Sequence, residues 1–232
     1  MPLIPRAVSV TLWLALILVA AGCATTRQSA VELNAGLLLV VPSSTAQGWP
    51  RASDVAVRLE RTPKVAVGWS RPVRSGDVEV RPTKAAREAW IAAVTRKLAE
   101  SGRVAGAVAI APDRFDEDLT LAAVQHVAAE QGADVVLLFS FEVTKRRYHA
   151  FGAMADHADV ESQVEVVTLA HAAGFTPSGV PVVTETQKGF ASGTPERRSF
   201  EELQATSQRV AVNALSDAIV ARLRVIAPEA AR

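Results

Sequence analysis

Cys23 is the residue whose chemistry the sequence defines most clearly, and it is the only cysteine among the 232 residues. A thiol readily forms a thioether with a transferred diacylglyceryl group, because its thiolate is a strong nucleophile. Cleavage of the peptide bond before the cysteine would free an amine for a further acyl chain. Two or more chains attach a protein stably to a membrane, since each buried CH₂ contributes about 0.8 kcal/mol. Cys23 is therefore a candidate diacylglyceryl cysteine that carries palmitate-type chains.

The residues before Cys23 have the composition of a cleaved export signal. Residues 1–6 carry a single positive charge, and residues 10–19 form a dense apolar core. That core is shorter than the roughly 20 apolar residues of a transmembrane helix, and it ends in small residues. The segment Val19-Ala20-Ala21-Gly22-Cys23 resembles the bacterial lipobox, with alanine in place of the commonest leucine. Residues 1–22 are therefore predicted to be a lipoprotein signal peptide; the alternative is a secretory signal cleaved elsewhere.

The net charge of the chain and the residue after Cys23 indicate its class of partner and its membrane. The chain has 25 basic and 24 acidic residues, and the signal takes away one basic residue, so the remainder is formally neutral. Proteins that bind nucleic acids carry a basic excess that neutralises phosphates, so no nucleic-acid partner is expected. Ala24 stands after the cysteine, where aspartate would favour retention in the inner membrane. The sequence predicts anchoring to the outer membrane through Cys23, with the domain in the periplasm.

Motifs that would indicate catalysis are missing from the sequence. It contains no Gly-x-Ser-x-Gly elbow of a serine hydrolase and no glycine-rich phosphate loop after a strand. His126 and Glu130 lie four residues apart, but the second histidine of a zincin is missing, so an ordinary helix face is expected. The densest group of possible metal ligands matches no known ligand spacing and comprises His149, Asp156, His157 and Asp159. No catalytic residue, metal site or cofactor is predicted.

Several basic and aromatic residues could contact a partner. The cluster Lys145-Arg146-Arg147, beside Tyr148, could meet anionic lipid or an acidic protein, although a solvated strand end is the simpler interpretation. Trp49 lies in a proline-bearing loop, where it could anchor a partner or pack on its own domain. Two further candidate contacts are Phe151 and Met154, whereas Trp69 and Trp90 are expected in the core.

Hydrophobic periodicity predicts the elements that position these residues. Three helices are expected. The first runs from an N-cap at Thr83 to Ser101, and the second from a cap at Asp118 to Gln131, with Leu121, Val124 and Ala128 facing inward. The third begins at a capping box of Ser199 and Glu202 and ends before Pro228, with an apolar stripe of Val212, Leu215, Ile219, Leu223 and Ile226. Residues 64–68 and 104–111 are short apolar strands. Residues 135–139 are apolar throughout, as in a strand covered on both faces. Residues 160–170 and 180–187 alternate as the strands of a hairpin do, and 171–181, with Gly174, Pro177 and Gly179, are expected to form their connection.

The order of these elements predicts an α/β fold with a single mixed sheet, in which a parallel βαβαβ unit is followed by an antiparallel hairpin and a C-terminal helix. Four regions are expected along the chain. They are the signal peptide 1–22, a lipid-anchored tether with an N-terminal strand and loop at 23–61, the α/β domain at 62–226, and a tail at 227–232.

Three segments of the α/β region resemble the rhombotarget lipoprotein family. They are Val108-Ala109-Ile110-Ala111-Pro112, Asp118-Leu119, and Gly132-Ala133-Asp134-Val135-Val136-Leu137-Leu138-Phe139-Ser140-Phe141. The order of elements is more broadly similar to the periplasmic α/β domains of curli-secretion and penicillin-binding-protein-activator lipoproteins. The resemblance implies an envelope lipoprotein without established catalysis, and it supplies no active-site residues.

The expected function is therefore a membrane-anchored lipoprotein whose non-catalytic domain binds or scaffolds another envelope protein. The alternative is an anchored periplasmic hydrolase with a non-motif site, in the loop of residues 148–159. A third possibility is a purely structural spacer. The identity of the partner cannot be read from the residues.

Overall fold

A computed structural model describes residues 58–70, 82–115, 119–149, 162–194 and 197–228. All of them belong to one compact unit that spans residues 36–232. The signal peptide, Cys23, the predicted strand at residues 37–41 and Trp49 lie outside the described residues. So do the candidate contacts and ligands of the long loop, which are Phe151, Met154, Asp156, His157 and Asp159.

The described chain forms five strands in one mixed sheet, with the order β2-β1-β3-β4-β5. The strands are β1 (Lys64–Trp69), β2 (Gly106–Ala109), β3 (Val135–His149), β4 (Ser162–Phe175) and β5 (Pro181–Gly193). β1 pairs in parallel with β2 and β3, whereas the β3–β4 and β4–β5 pairs are antiparallel. The predicted α/β class and mixed topology are confirmed.

Three helices cover the sheet: α1 (Lys84–Glu100), α2 (Leu121–Gln131) and α3 (Phe200–Ile226). α1 and α3 pack on one face, where their apolar side chains share a core with Val67, Leu137 and Phe139. α2 packs on the opposite face against Ala66 and Leu138. Residues that alternate along a strand point to opposite faces, so the two cores draw on neighbouring positions of β1 and β3.

Local sequence signals account for the helix ends. Ser199 and Glu202 form the predicted capping box at the start of α3. The Ser199 hydroxyl accepts a hydrogen bond from the Glu202 backbone N–H, and the Glu202 carboxylate accepts one from the Ser199 backbone N–H. Gly132 closes α2 in the left-handed conformation, at φ 57°, which glycine adopts without strain. The predicted cap at Asp118 is wrong, because Thr120 takes that role and accepts from the Ala123 backbone N–H at 3.1 Å.

The antiparallel strands are longer than their alternation predicted. Residues 171–175 belong to β4 rather than to a connection, and the turn between β4 and β5 is confined to residues 176–180. β2 is shorter than predicted, at residues 106–109. The lengths follow the partners: β4 pairs with β3 and with β5 along almost its whole length, whereas β2 pairs with the short β1 over only four residue pairs.

α3 lies unusually close to β4 and β5. A Cβ atom added at Gly189 would fall 1.9 Å from the backbone oxygen of Ser207, so only glycine permits this approach. On the neighbouring strand, the Ser207 hydroxyl donates to Thr168 Oγ1 at 2.9 Å, and both residues are buried. These contacts hold β4 and β5 against the N-terminal half of α3.

Aromatic packing closes the core on the α1 face. The ring of the buried Trp69 lies 5.4 Å from that of Phe139 and 5.2 Å from that of Phe141, both edge to face. Trp90 is half-buried and packs on Phe141 at 4.7 Å. The core prediction is confirmed for Trp69, and Trp90 covers that core from its edge.

Candidate functional site

A row of polar side chains crosses the three antiparallel strands on the α2 face of the sheet. Ser140 of β3 lies directly opposite His171 of β4, which lies directly opposite Thr186 of β5. Directly opposed residues point to the same face, so the three side chains form one line. His171 Nδ1 and Thr186 Oγ1 are hydrogen bonded at 3.0 Å. Ser140 and His171 are 0% and 3% exposed, whereas Thr186 is exposed, so the row runs from the interior to the surface of the sheet.

The row begins beside the topological switch point of the sheet, where the strands that follow β1 in the chain lie on opposite sides of it. β1 lies between β2 and β3, and α1 and α2 cover opposite faces. In open α/β sheets, ligands bind outside the carboxyl ends of the strands at such a switch point. β1 ends there with Trp69, and the buried Ser70 donates its backbone N–H to the Phe139 carbonyl at 2.9 Å. Ser140, the next residue of β3, therefore lies beside the position that the topology favours.

Two buried atoms of this row have no hydrogen-bond partner: Ser140 Oγ and His171 Nε2. Buried polar groups in native proteins are nearly always hydrogen bonded, because leaving one unsatisfied costs about 1–3 kcal/mol. We refer to these two side chains as the Ser140–His171 pair. Sequence reasoning missed them, because it placed His171 in a turn rather than opposite β3.

The charge state of His171 follows from its surroundings. Burial lowers the pKa of the imidazole from 6.5 to about 4, since the protonated form is poorly solvated there. The ring is therefore neutral at pH 7. A neutral imidazole donates from one nitrogen and accepts at the other. His171 Nε2 is therefore an acceptor if Nδ1 donates to Thr186, and a donor if Nδ1 accepts from it.

The same face carries an apolar group further along the strands, formed by the exposed Phe190 and by Val167 and Leu169, which are only partly exposed. Val167 pairs directly with Phe190, which is 46% exposed. Leu169 lies between Glu142 on β3 and Lys188 on β5, its direct partners on the two neighbouring strands. Among the described elements, α2 packs only on the first part of this face, near Leu138 and Phe175. The apolar group of Val167, Leu169 and Phe190 therefore lies at the surface of the sheet with charged side chains beside it.

Lys145 and Arg146, the two side chains of the basic cluster that the structure describes, do not share a face of the sheet. β3 continues through these residues, so consecutive side chains point to opposite faces. Lys145 Nζ lies 4.3 Å above the centre of the Phe200 ring at the start of α3, in a cation–π contact. Arg146 is exposed on the opposite face. The simpler interpretation, a solvated strand end, is wrong for Lys145, whose ammonium group contacts the Phe200 ring.

The possible metal ligands of α2 form an ordinary surface group. His126 Nε2 lies 4.0 Å from Glu130 Oε2, and Arg114 approaches the same carboxylate at 3.6 Å. All three side chains are more than 40% exposed. In the part of the chain that the structure describes, no three histidine, cysteine or acidic side chains come together as a metal site would require.

The segment that carried the family resemblance has a packing role. Gly132 ends α2, Ala133 is buried, and Asp134 Oδ2 accepts from the Lys64 backbone N–H at 2.9 Å, where β1 begins. Desolvation opposes ionisation of Asp134, but its bonds to Lys64 and Arg61 prevail and lower the pKa of the carboxyl below its usual value. The motif therefore joins the end of α2 to the start of β1.

The sequence matches no protein-family model and no curated protein. Solved structures with a similar arrangement include a minor lipoprotein from Acinetobacter baumannii, at 12% identity over 74% of this chain and 98% of that one, with a TM-score of 0.38. A hypothetical protein from Chlamydia trachomatis is 14% identical over 70% of this chain and 96% of its own, also at a TM-score of 0.38. A Helicobacter pylori protein described as a neuraminyllactose-binding hemagglutinin homolog is 10% identical over 77% of this chain and 92% of its own, at 0.38.

At these identities and TM-scores, no activity or ligand is transferred from those proteins to this chain. The resemblance to the rhombotarget, curli-secretion and penicillin-binding-protein-activator lipoproteins remains a prediction. Among the described helices, none combines the length and the apolar character that crossing a bilayer requires.

Proposed function

We propose that this protein is a lipoprotein held at the outer membrane through acylated Cys23, and that its α/β domain binds another protein of the envelope. The anchor rests on the lipobox-like segment that ends at Cys23 and on the short apolar core before it. The role of the domain rests on its surface chemistry. Binding, rather than catalysis, is the function that the described geometry supports best.

The observation that carries the proposal is the exposed Phe190 together with its partly exposed neighbours Val167 and Leu169. An exposed aromatic side chain with apolar neighbours and a charged border is an arrangement that protein interfaces use. Phe190 has the largest side chain of the group, and 46% of its surface is exposed. A partner could therefore bury much additional apolar surface of this ring. Glu142 and Lys188 stand on the two strands beside Leu169 and would border such a contact.

The chemistry of the partner follows from these side chains. An apolar side chain of the partner would cover Phe190, and one basic and one acidic group would face Glu142 and Lys188. A protein surface offers this combination, whereas a lipid headgroup layer would favour a basic patch, and the strand geometry separates Lys145 from Arg146.

The binding role is tested with the mature anchored protein as bait, with cross-linking before recovery. Phe190→Ser is expected to reduce recovery of a reproducible envelope partner about tenfold or more, because an aromatic anchor contributes on the order of 2 kcal/mol. Val225→Ser is the matched control, since Val225 is an exposed apolar residue on α3, at 70% exposure. Equal recovery by Phe190→Ser and wild type contradicts the proposed surface.

The anchor is tested separately by Cys23→Ala. Metabolic labelling with a fatty acid is expected to give no labelled product, and the precursor is expected to escape normal cleavage while the domain still folds. Membrane fractions of the wild type should hold the mature protein with the outer membrane. Normal acylation and processing of Cys23→Ala would show that the cysteine is not the anchor.

A further inference from the structure

β5 is the longer of the two edges of the described sheet. It runs over 13 residues, from Pro181 to Gly193, and within that sheet it pairs only with β4. The opposite edge, β2, has four residues, and natural proteins use short edge strands to avoid further pairing. Along an edge strand, every second residue directs its backbone N–H and C=O away from the sheet. β5 is therefore where the sheet can accept a further strand.

The side chains of β5 leave this edge open to solvent. Thr186, Lys188 and Phe190 are exposed, and all three point to the face that α2 covers only in part. Pro181 is the one proline of the strand and stands at its first position, so the residues after it keep their backbone donors. Lys188 is the single charged residue of β5 on this face, which favours an acidic side chain on an added strand.

α3 covers β5 from the opposite face of the sheet. Its backbone lies directly over Gly189, where an added Cβ would fall 1.9 Å from the backbone oxygen of Ser207 and 2.9 Å from Ala211 Cβ. Ala214 and Ala218 follow Ala211 at helical spacing on the same side of α3, and both are half-buried. A strand beside β5 would therefore meet small apolar side chains of α3 on this face.

The position of α3 also decides what kind of strand fits. If a second copy paired its own β5 with this one over most of its length, the two strands would lie about 4.8 Å apart. Each β5 carries its α3 directly above Gly189, so the two helices would lie nearly as close, whereas the axes of packed helices are roughly 8–10 Å apart. A second copy is therefore excluded at this edge, while an extended segment without a covering helix fits.

We infer, resting on the proposed function, that the envelope partner adds an extended segment to the edge of β5 as a further strand of the sheet. Phe190 and Lys188 belong both to β5 and to the proposed surface, so one partner segment reaches both. Its backbone pairs with the outward backbone groups of β5 and supplies the affinity, and its alternate side chains supply the specificity. Those that face α3 are small and apolar, and those on the other face include an acidic residue beside Lys188.

A synthetic peptide, Thr-Val-Glu-Val-Thr-Val-Thr, tests the strand addition by NMR titration of the mature protein in detergent. Saturable amide shifts are expected in β5 and in α3 between Ser207 and Ala218. N-methyl groups on every second residue of the peptide leave one hydrogen-bonding edge intact and should preserve binding, whereas N-methyl groups on every residue should abolish it. Absence of saturable shifts in β5, or full binding of the fully methylated peptide, overturns the inference.

Charge exchange tests the acidic residue beside Lys188. Replacing the glutamate of the peptide with lysine is expected to weaken binding about twofold to fivefold, and Lys188→Glu should reverse this preference, because directly opposed like charges on neighbouring strands repel. Arg96→Glu is the matched control, since Arg96 is an exposed basic residue on α1, and it should keep the wild-type preference. The same preference in Lys188→Glu as in the wild type overturns the inferred site.

Amide exchange and sedimentation of the free protein test the other occupants. Fast exchange of alternate β5 amides that the peptide slows supports an open edge. Slow exchange throughout β5 before the peptide is added would show that the tether of this chain already fills the edge, and a dimer that the peptide disperses would show that a second copy does. Both of these results overturn the inference. If Phe190→Ser reduces recovery of the partner while the peptide does not bind, the proposed function stands and the strand addition alone is wrong.

Discussion

Replacing His171 with glutamine is expected to make the fold less sensitive to acid. Burial lowers the pKa of this imidazole from 6.5 to about 4, so the folded state keeps it neutral at pH values where the unfolded chain protonates it. The stability that depends on the neutral ring is fully present above pH 6.5. It is lost as the pH falls from 6.5 towards 4, because the unfolded state then binds more protons than the folded one.

The size of the effect follows from the two pKa values. Protonating His171 costs about 3 kcal/mol more in the folded state than in the unfolded chain, and roughly 2 kcal/mol of this is lost between pH 7 and pH 5. Burial also raises the pKa of Glu185, against a smaller opposing effect of Arg222, and that group acts with the opposite sign. Both the wild type and the variant contain Glu185, so it cancels in the comparison.

Denaturant unfolding of the mature chain at pH 7 and pH 5 provides the assay. The loss of unfolding free energy between these pH values is expected to be roughly 2 kcal/mol smaller in His171→Gln than in the wild type. His126→Gln removes an exposed histidine from α2 and is expected to keep the wild-type loss. The same loss in His171→Gln as in the wild type would refute the assignment of acid sensitivity to this buried ring.

Two further substitutions test how the helices are held. Gly189→Ala should destabilise the fold by about 3 kcal/mol or more, because the added Cβ would fall 1.9 Å from the Ser207 backbone oxygen. Gly106→Ala is the control: its Cβ would have no atom nearer than 3.8 Å, and stability should change by less than about 1 kcal/mol. Equal unfolding midpoints for the two variants would show that α3 does not approach β5 so closely. Ser199→Ala should lower the free energy of unfolding by about 1 kcal/mol through loss of the capping box with Glu202, measured by denaturant titration; an unchanged value would show that the cap contributes nothing.

Much of the fold was predictable because its signals are local. The apolar stripe of α3 was legible at helical spacing, and all its predicted members are buried: Val212, Leu215, Ile219, Leu223 and Ile226. Capping at Thr83 and at Ser199 was equally legible, since a hydroxyl and the nearby backbone N–H groups decide it. The uninterrupted apolar residues at the start of β3 correctly indicated a strand covered on both faces.

Errors arose where a distant part of the chain competes with a local signal. The stripe predicted for α2 included Leu121, which is only partly buried, and omitted Val127, which is 2% exposed. The composition of residues 171–175 suggested a turn, yet continuous pairing with β3 keeps them in β4. Pairing energy along a neighbouring strand outweighs the turn preference of a single glycine such as Gly174.

The sequence by itself determined the order of elements, their periodicity and the chemical candidate at Cys23, because these depend on neighbouring residues. Only the tertiary structure decided which side chains face one another across the sheet. The register of β3, β4 and β5 places Ser140 opposite His171 and Thr186, and it separates Lys145 from Arg146. Register depends on which faces the sheet buries against α2 and α3 as well as on the turns, and the close approach of α3 at Gly189 joins residues that are distant in the chain, so local periodicity alone does not specify it.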